Sequence, residues 1–365
     1  MSSHEVIVIG AGQAGLAAGK ALKDAGIDFV IVDGAKRIGN SWRNRFDSLR
    51  LFSPRSLSAL PGIPLPGPER VYPTKDEIAD YLESYAGRLG LPVKLAARAT
   101  SLRKCDDGFR VIFSSGNEVE SRAVLVAAGA FQVPDRPAIA ADLASEIAQL
   151  DSMSYKNPGS LPEGRVLVVG SGATGRQIAA EVAAHRETWL ARGSPAIITP
   201  HRLLGRDVTW WAKVSGLLTA DKGTWRGRLA RRHDSFPGSQ LNDKSLLGAG
   251  VRLVGRAVAA RADRVGFARG TEQEFRTVIW ATGYRDDNSW IDVDGALRDG
   301  AILEDRGVSP VPGLYYIGRS WQKSRASALI CGVGREAEEI VAHLGHYLRA
   351  RDGMNSPASL ARTSR

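Results

Sequence analysis

Glycines at fixed spacing follow the first apolar run of the chain. In GAGQAG, Gly10, Gly12 and Gly15 come directly after VIVI. Where such a segment joins a strand to a helix, the first glycine permits a tight turn and the second lets the backbone approach a pyrophosphate. The third lets helix and strand pack closely, and the pyrophosphate lies at the helix N-terminus. The segment therefore predicts a dinucleotide site, to which Gln13 and Ala14 also belong.

A carboxylate marks the end of the second predicted strand, FVIV. Asp33 follows this strand and lies 18 residues after Gly15 (33 minus 15). An acidic residue at this place suits the two hydroxyls of an adenosine ribose. A ribose carboxylate in an N-terminal unit is usual for FAD, so we expect FAD at this site.

The same arrangement returns 160 residues further along the chain (170 minus 10). The run VLVV is followed by GSGATG, which again predicts a strand, a tight turn and the start of a helix. We expect a second dinucleotide there, bound by Gly170, Gly172, Ala173, Thr174 and Gly175.

An arginine stands in the second unit where the first unit has its carboxylate. Arg192 lies 17 residues after Gly175 (192 minus 175), and Ser194 follows closely. A guanidinium can bind a 2′-phosphate, which a carboxylate would repel. We therefore expect NADPH, with NADH as the alternative, and a further hydrogen bond from Ser194. The other interpretation of Arg192 is a solvent-exposed loop residue.

Two dinucleotide units in one chain imply hydride transfer between two cofactors, one of which is a flavin. No acid, base or nucleophile stands out as catalytic, and the six histidines form no cluster, so the sequence predicts no metal site. Trp210 and Trp211 lie in the second unit and could line a pocket for an apolar or aromatic substrate. Ordinary core or domain-interface packing is the other interpretation of this pair.

The elements that must position these residues can be predicted from local patterns. TKDE at residues 74–77 is a capping box that starts a helix, which ends at Gly90. The apolar runs of VLVAAG, IWATGY and GLYYIG predict buried strands. The last helix is expected to begin near Ser327 and to run to about Arg351. Residues 39–67 show no period and predict loops.

Composition limits the classes of function. A chain of 365 residues suits two domains, and 43% hydrophobic with 24% charged residues is ordinary for a globular protein. The net charge of +10 attracts anions, but no zinc-finger or RNA-reader pattern is present, so we expect no nucleic-acid partner. Cys105 and Cys331 form no CxxC pair. No apolar run is long enough for a membrane span or signal peptide, so we expect a cytoplasmic protein with no membrane partner.

Seven segments in order resemble the flavin-containing monooxygenases, including bacterial flavoprotein monooxygenases and plant indole-pyruvate monooxygenases. The resemblance covers nearly the whole chain. It is carried by GAGQAG with IVD, GNSWRNRFDSLRLFSP, YPTKDEIADYLESYA, GSGATG, IWATGY, GLYYIG and SALICGVGREAEEI.

The resemblance assigns further cofactor contacts. It implies that Ser41, Trp42 and Arg43 lie along the flavin. Gly318, with the helix that begins at Ser327 and Ala328, would face the pyrimidine end, where a helix N-terminus stabilises negative charge on reduced flavin. The glycine-rich ends of two strands would point toward the cleft between the domains; these residues are Ala128, Gly129, Ala281, Thr282 and Gly283.

Two positions depart from the family pattern. Its linker motif aligns here with Ser145, Ile147, Asp151 and Tyr155, so Asp151 replaces the family histidine and weakens a Baeyer–Villiger interpretation. We expect Asp151 to be a surface linker residue. An asparagine that contacts the oxygenated flavin in many members aligns with Phe52, so its role does not carry over.

The resemblance implies an α/β fold with two dinucleotide-binding domains, FAD in 1–155 with 285–365 and NADPH in 156–284. It also implies a monooxygenase in which NADPH reduces FAD and a flavin C4a-hydroperoxide passes one oxygen of dioxygen to a small organic substrate, by N-, S- or ketone oxygenation. One alternative is an NAD(P)H-dependent reductase or oxidase that passes electrons to an acceptor or to oxygen. A non-catalytic flavin sensor is the other. The oligomeric state cannot be predicted.

Overall fold

The computed structural model describes residues 4–193, 197–232, 235–268 and 270–355. Its α-helices are α1 Gln13–Asp24, α2 Asn40–Arg43, α3 Lys75–Leu89, α4 Ala173–Ala183, α5 Val208–Val214, α6 Trp225–Arg232, α7 Asp243–Gly248 and α8 Ile330–Asn355. Short 3-10 helices cover Arg55–Leu57, Ala138–Asp142, Pro158–Ser160 and Ser239–Leu241.

The strands of the described residues vary from two to nine residues in length. They are β1 His4–Ile9, β2 Phe29–Val32, β3 Val93–Lys94, β4 Ala99–Cys105, β5 Gly108–Phe113, β6 Glu118–Val126, β7 Val133–Pro134, β8 Ala148–Asp151, β9 Val166–Val169, β10 Thr188–Ala191, β11 Ile198–Thr199, β12 Arg202–Leu203, β13 Arg206–Asp207, β14 Phe236–Pro237, β15 Arg252–Val254, β16 Ala257–Arg261, β17 Arg264–Phe267, β18 Gln273–Glu274, β19 Thr277–Trp280, β20 Tyr284–Arg285, β21 Ile291–Asp292, β22 Leu297–Arg298, β23 Ala301–Ile302 and β24 Leu314–Tyr316.

The first large sheet has the strand order β21-β4-β5-β6-β1-β2-β3, with β24 beside β6. Strands β3, β2, β1, β6 and β24 run parallel, whereas β4 and β5 form an antiparallel excursion. All four residues of β2 are buried, as expected where both faces of a parallel sheet are covered. Helices α1, α3 and α8 share one hydrophobic cluster with β1 and β2. The turn and helix after β1 are thereby held at the carboxyl edge of the sheet.

The second large sheet is built in the same way. Its order is β15-β10-β9-β19-β8, and every pairing is parallel. Residues of α4 and α7 pack in one hydrophobic cluster with β9, β10 and β19, while the antiparallel strands β16 and β17 contribute to a cluster on the other side. The predicted α/β fold with two dinucleotide-binding domains is confirmed.

Two chain segments connect the sheets and run side by side. Strand β7 follows β6, β20 follows β19, and the two pair as an antiparallel ribbon. Beyond this ribbon the chain returns to the first sheet through β21 and β24. Strand β8 pairs with β19 in the second sheet, although its residues precede position 156, where the second domain was predicted to begin. The domain limits themselves remain a prediction.

Local predictions were confirmed wherever the pattern was strong. Thr74 caps α3, with the Glu77 side chain bonded back to the Thr74 backbone, and Gly90 ends the helix in the left-handed conformation. Residues 39–67 are not loops alone, since they contain α2 and one 3-10 helix. The last helix begins at Ile330, three residues later than Ser327. No helix of the described residues is long and apolar enough to cross a membrane.

Candidate functional site

The first glycine segment forms a turn that only glycine fits at two of its three positions. Gly10 has a φ of +113°, and a Cβ there would lie 2.4 Å from the carbonyl oxygen of Ala127. A Cβ on Gly15 would lie 1.8 Å from the carbonyl oxygen of Gly10. Gly12 differs, because its Cβ would meet no protein atom within 4 Å. The chain is thus closely packed behind the turn and open in front of it.

The helices that follow the two glycine segments lack side-chain caps, unlike others in the structure. Thr74, Asp207 and Asn242 cap α3, α5 and α7 through side-chain oxygens. Gly12 and Gly172, the N-cap residues of α1 and α4, have no side chain to do so, and the first turn of neither helix contains an acidic residue. Their first N–H groups are therefore available to an anion, and the helix dipole favours one.

Asp33 lies beside the first glycine segment, as predicted. One carboxylate oxygen accepts a hydrogen bond from the Ala11 N–H at 2.7 Å, and the other accepts from the Ala35 N–H at 2.7 Å. Each oxygen keeps a further lone pair for a ribose hydroxyl. These bonds fix the carboxylate at the edge of the turn where an adenosine would lie.

Gln13 links three segments that the sequence analysis placed around the flavin. Its amide nitrogen donates to the carbonyl of Ala328 at 3.3 Å, and its amide oxygen accepts from the Trp42 indole at 3.3 Å. Gly318 lies against the same helix start, since a Cβ on it would be 2.5 Å from the Cβ of Ala14. The structure therefore brings these five predicted residues together at the carboxyl edge of the first sheet.

Ser41 and Arg43 belong to α2, with different surroundings. Ser41 is exposed. The Arg43 guanidinium bonds to Asp80 at 2.6 Å and Glu83 at 3.1 Å, both on α3. Arg43 thus holds α2 against α3. Trp42, the preceding residue of α2, bonds to Gln13 of α1.

Ser327 lies in a buried turn ahead of α8 and is not at the helix start. Its hydroxyl accepts hydrogen bonds from the N–H groups of Lys323 and Ser324, and lies 2.7 Å from a carboxylate oxygen of Glu336. Glu336 is buried, and its second oxygen has no hydrogen-bond partner among the described residues. Burial raises the pKa of Glu336, and the hydroxyls of Ser327 and Ser324 only partly offset this effect. Through these hydrogen bonds Glu336 braces the turn that carries Ala328.

The strand ends predicted to face the cleft lie on either side of the connecting ribbon. Ala128 and Gly129 follow β6, and Gly129 has a φ of +80° with no atom within 4 Å of its Cβ position. After β19, the Thr282 hydroxyl donates to the carbonyl of Asp135 in the opposite connection. Gly283 has a φ of +103° and is likewise open. Ala281 lies behind the second glycine turn.

The second glycine segment repeats the geometry of the first. Gly170 has a φ of +111° and approaches the carbonyl of Ala281, and a Cβ on Gly175 would lie 1.9 Å from the carbonyl oxygen of Gly170. A Cβ on Gly172 would meet nothing within 4 Å. Ala173 and Thr174 form the first turn of α4. The residues present fit a second pyrophosphate.

Arg192 follows β10 at the expected place but is already paired. Its Nη1 lies 2.5 Å from Asp243, whose other oxygen accepts from Arg176 Nη1 at 2.8 Å. Arg176 is buried and also bonds to the carbonyls of Ser171 and Leu241. Two guanidiniums thus share one carboxylate. The Arg192 side chain is partly exposed, while its Nε is buried without a partner among the described residues. Ser194 lies outside the described residues.

Asp151 is a buried residue, so the expectation of a surface linker residue is wrong. Its carboxylate bonds to Arg136 at 2.8 Å and accepts from the N–H groups of Met153 and Ser154. These contacts lower its pKa, although burial opposes them. Asp151 is held ionised and closes the turn after β8, which gives it a structural role in the second sheet.

Trp210 and Trp211 lie together on α5, with ring centroids 4.8 Å apart. The Trp211 indole donates to the carbonyl of Leu203, and Arg206 lies over the Trp210 ring. No residue of α5, all of which is described, is buried. The pair is therefore not core packing; it lies in a partly exposed helix. Among the described residues no group of histidine, cysteine or acidic side chains could hold a metal ion.

Three residues that shape the sites were not predicted from the sequence: Arg176, Asp243 and Glu336. Asp243 contacts Arg192 across 51 residues of sequence, and no local pattern marks such a pair. Arg176 directly follows Gly175, the last glycine of the second glycine segment. A charged residue on the buried side of α4 was the available signal. Glu336 lies in the charged run REAEE of α8, but at helical spacing it shares a face with the apolar residues Val333 and Ile340, and that position was the available signal.

Known proteins are similar in sequence to most of this chain. Residues 7–197 match the model of the pyridine nucleotide-disulphide oxidoreductase family. The uncharacterized oxidoreductase CzcO-like protein of Geobacillus kaustophilus is 43% identical over 92% of this chain and 97% of its own length. The rice indole-3-pyruvate monooxygenase YUCCA1 is 26% identical, over 86% of each chain.

A solved structure agrees with these relatives. The flavin-containing monooxygenase from Stenotrophomonas maltophilia superimposes with a TM-score of 0.80 and 29% identity, covering 95% of this chain and all of the other. The chain is a flavin-dependent oxidoreductase that belongs to the pyridine nucleotide-disulphide oxidoreductase family, among its flavin-containing monooxygenases.

Proposed function

We propose that this chain is a monooxygenase that binds FAD in the first unit and NADPH, or less well NADH, in the second. It would use a flavin C4a-hydroperoxide to oxygenate a small organic substrate at nitrogen, sulfur or a ketone, with dioxygen as co-substrate. The proposal rests chiefly on one observation: two glycine turns, each open at its middle glycine and each followed by an uncapped helix.

The residues of the first unit fit FAD. Asp33 would accept the ribose hydroxyls, and the N–H groups at the start of α1 would bind the pyrophosphate. Gln13 and Trp42 would fix the segments beside the flavin, because Gln13 already accepts from the Trp42 indole and donates to the carbonyl of Ala328. The flavin, when bound, would supply the redox and oxygen chemistry.

The residues of the second unit fit a nicotinamide dinucleotide. The start of α4 would bind its pyrophosphate, and Arg192 would bind the 2′-phosphate of NADPH. The substrate pocket is not assigned to particular residues. The protein would have to exclude water near the flavin, since water promotes the release of hydrogen peroxide.

A single substitution tests the second site apart from the first. Gly172→Ala places a methyl group where the pyrophosphate would pass but where no protein atom lies within 4 Å, so the fold should be retained. We expect this variant to retain FAD. Its anaerobic reduction by NADPH should be at least about tenfold slower, because the methyl group would displace the pyrophosphate and cost about one hydrogen bond to it. Gly87→Ala, also free of contacts, is the matched control.

Two results would contradict the proposal. A purified protein without flavin would remove the first site, and a Gly172→Ala variant reduced as fast as the wild type would remove the second. Reduction that is followed only by peroxide release would favour the reductase or oxidase alternative. The described cysteines, Cys105 on β4 and Cys331 on α8, are both free and offer no dithiol for a disulfide reductase.

A further inference from the structure

Residues 202–232 leave most of their side chains facing solvent. Leu218 and Gly227 are the buried residues of this segment, every residue of which is described. Gly227 is the one buried residue of helix α6, all of which is described, and its Cβ position would lie 1.9 Å from the carbonyl oxygen of Asp221. Apolar side chains that are grouped on an exposed surface mark an interaction site.

A hairpin tip presents two leucines to solvent. Strands β12 and β13 pair through Arg202–Asp207 and Leu203–Arg206, so Leu204 and Gly205 form the turn. Leu203 is 51% exposed and Leu204 is 84% exposed. Leu204 also has a φ of +49°, a conformation that is unfavourable for a bulky side chain. Leu204 therefore contributes neither buried apolar surface nor a favourable backbone conformation to the folded state. This indicates that its side chain serves an interaction rather than the fold.

Helix α6 presents a second pair of apolar side chains. Trp225 is 66% exposed and Leu229 is 44% exposed. Residues four apart share one face of a helix, so the two lie on the same side. Arginines surround them at positions 226, 228, 231 and 232, all exposed. A short helix with Trp and Leu among arginines is typical of elements that lie at a membrane interface.

The charge of the segment is strongly positive. Residues 202–232 contain eight basic residues and two acidic ones, a difference of +6 within a chain whose net charge is +10. Both acidic residues are engaged within the protein, Asp207 with Tyr72 and Asp221 with Arg306. The exposed surface of the segment is therefore basic around its apolar side chains.

We propose that residues 202–232 form a docking surface for an anionic lipid bilayer, with Leu203, Leu204, Trp225 and Leu229 entering the headgroup region. Arg202 and Arg206 flank the hairpin tip, where their charges can remain at the headgroups while their stems cover apolar surface. A second copy of this chain would bring another net positive charge and be repelled. An acidic protein would need a pocket for each exposed apolar group, whereas a bilayer accepts all of them.

This surface is connected to the turn beside the proposed flavin site. The Lys222 N–H donates to the carbonyl of Lys323 at 2.7 Å, and the Ala326 N–H donates to the carbonyl of Leu218 at 3.1 Å. Docking would therefore hold the flavin-side turn close to the lipid. The proposal revises the sequence-based expectation of no membrane partner, which rested on the absence of a long apolar run.

Binding to vesicles tests the proposal with the full-length, FAD-loaded protein. We expect it to cosediment with phosphatidylcholine vesicles that contain about 30 mol% phosphatidylglycerol, and not with phosphatidylcholine alone. Added salt should weaken the binding. Arg231→Gln with Arg232→Gln should lower the partition coefficient about tenfold or more. Leu203→Ser with Leu204→Asn should lower it about tenfold, and asparagine suits the positive φ of the turn.

Matched controls separate docking from general effects. Leu247→Ser removes an apolar side chain that is 58% exposed on α7, and Arg261→Gln with Arg298→Gln removes two exposed arginines from β16 and β22. Both controls should bind as the wild type does, and all variants should retain flavin and thermal stability. The proposal is overturned if the wild type does not cosediment with anionic vesicles. It is also overturned if the variants of residues 202–232 bind as strongly as the wild type. The first of these results would leave an acidic protein surface as the partner class.

Discussion

At the scale of single residues, the ion pair of Arg192 and Asp243 lies where the coenzyme ribose is expected. Arg192→Gln removes the positive charge but keeps a polar side chain. We expect kcat/KM for NADPH to fall about 10- to 100-fold, the effect of one charge-assisted hydrogen bond, with little change for NADH. Steady-state rates with both coenzymes measure this change. The control is Arg165→Gln, because Arg165 precedes β9 and so lies at the end of the strand away from the glycine turn. An equal loss with both coenzymes would contradict the assignment.

Glu336 predicts a dependence of stability on pH. Its folded pKa is raised by burial, so the stability it contributes is present below the unfolded pKa of about 4.3 and is lost as pH rises through the folded pKa. Glu336→Gln resembles the protonated form. The melting temperature of this variant should therefore gain on that of the wild type as pH rises above about 4.3, the unfolded pKa. Exposed Glu338→Gln should show no such trend, and a gain that is constant with pH would contradict the explanation.

At the scale of elements, the two kinds of glycine in the first turn predict opposite outcomes. Gly15→Ala forces a Cβ to within 1.8 Å of the Gly10 carbonyl oxygen, so the unit of β1, turn and α1 should be disrupted and the protein should express poorly or melt early. Gly12→Ala meets no protein atom within 4 Å, so the fold should persist while FAD affinity falls. Thermal melting and flavin content measure the two effects. A Gly12→Ala protein that retains full flavin would contradict the pyrophosphate assignment.

Elements with a strong local pattern could be predicted from the sequence, and others could not. The capping box at Thr74 and the apolar run of β2 determine their elements through neighbouring residues alone. Helix α2 could not be predicted, because its four residues carry no period and are held by Arg43 against distant carboxylates on α3. The start of α8 was misplaced because Ser327 resembles an N-cap residue but is turned inward to Glu336.

At the scale of the whole molecule, the repeated glycine pattern predicted two dinucleotide-binding units. The structure has a parallel sheet in the second unit and a largely parallel one in the first, where β5 pairs antiparallel with β4 and β6. The place where the chain crosses between the sheets could not be predicted from local patterns. Strand β8 has only four residues, and its partner in the second sheet, β19, lies 129 positions later in the sequence (277 minus 148). Contacts such as that of Asp243 with Arg192 depend on the same long-range packing. Sequence patterns therefore predicted the cofactor turns better than the side chains that tune them.

The central claim is that both dinucleotide sites serve oxygen transfer. We would reduce the FAD-loaded protein anaerobically with NADPH and mix it with dissolved oxygen in a stopped-flow spectrometer. We expect rapid bleaching of the flavin and then a transient spectrum, distinct from reduced and oxidised flavin, that persists for seconds or longer because the site excludes water. Direct return to oxidised flavin with stoichiometric hydrogen peroxide would contradict the monooxygenase proposal, and a flavin that neither NADPH nor NADH reduces would contradict both enzymatic alternatives.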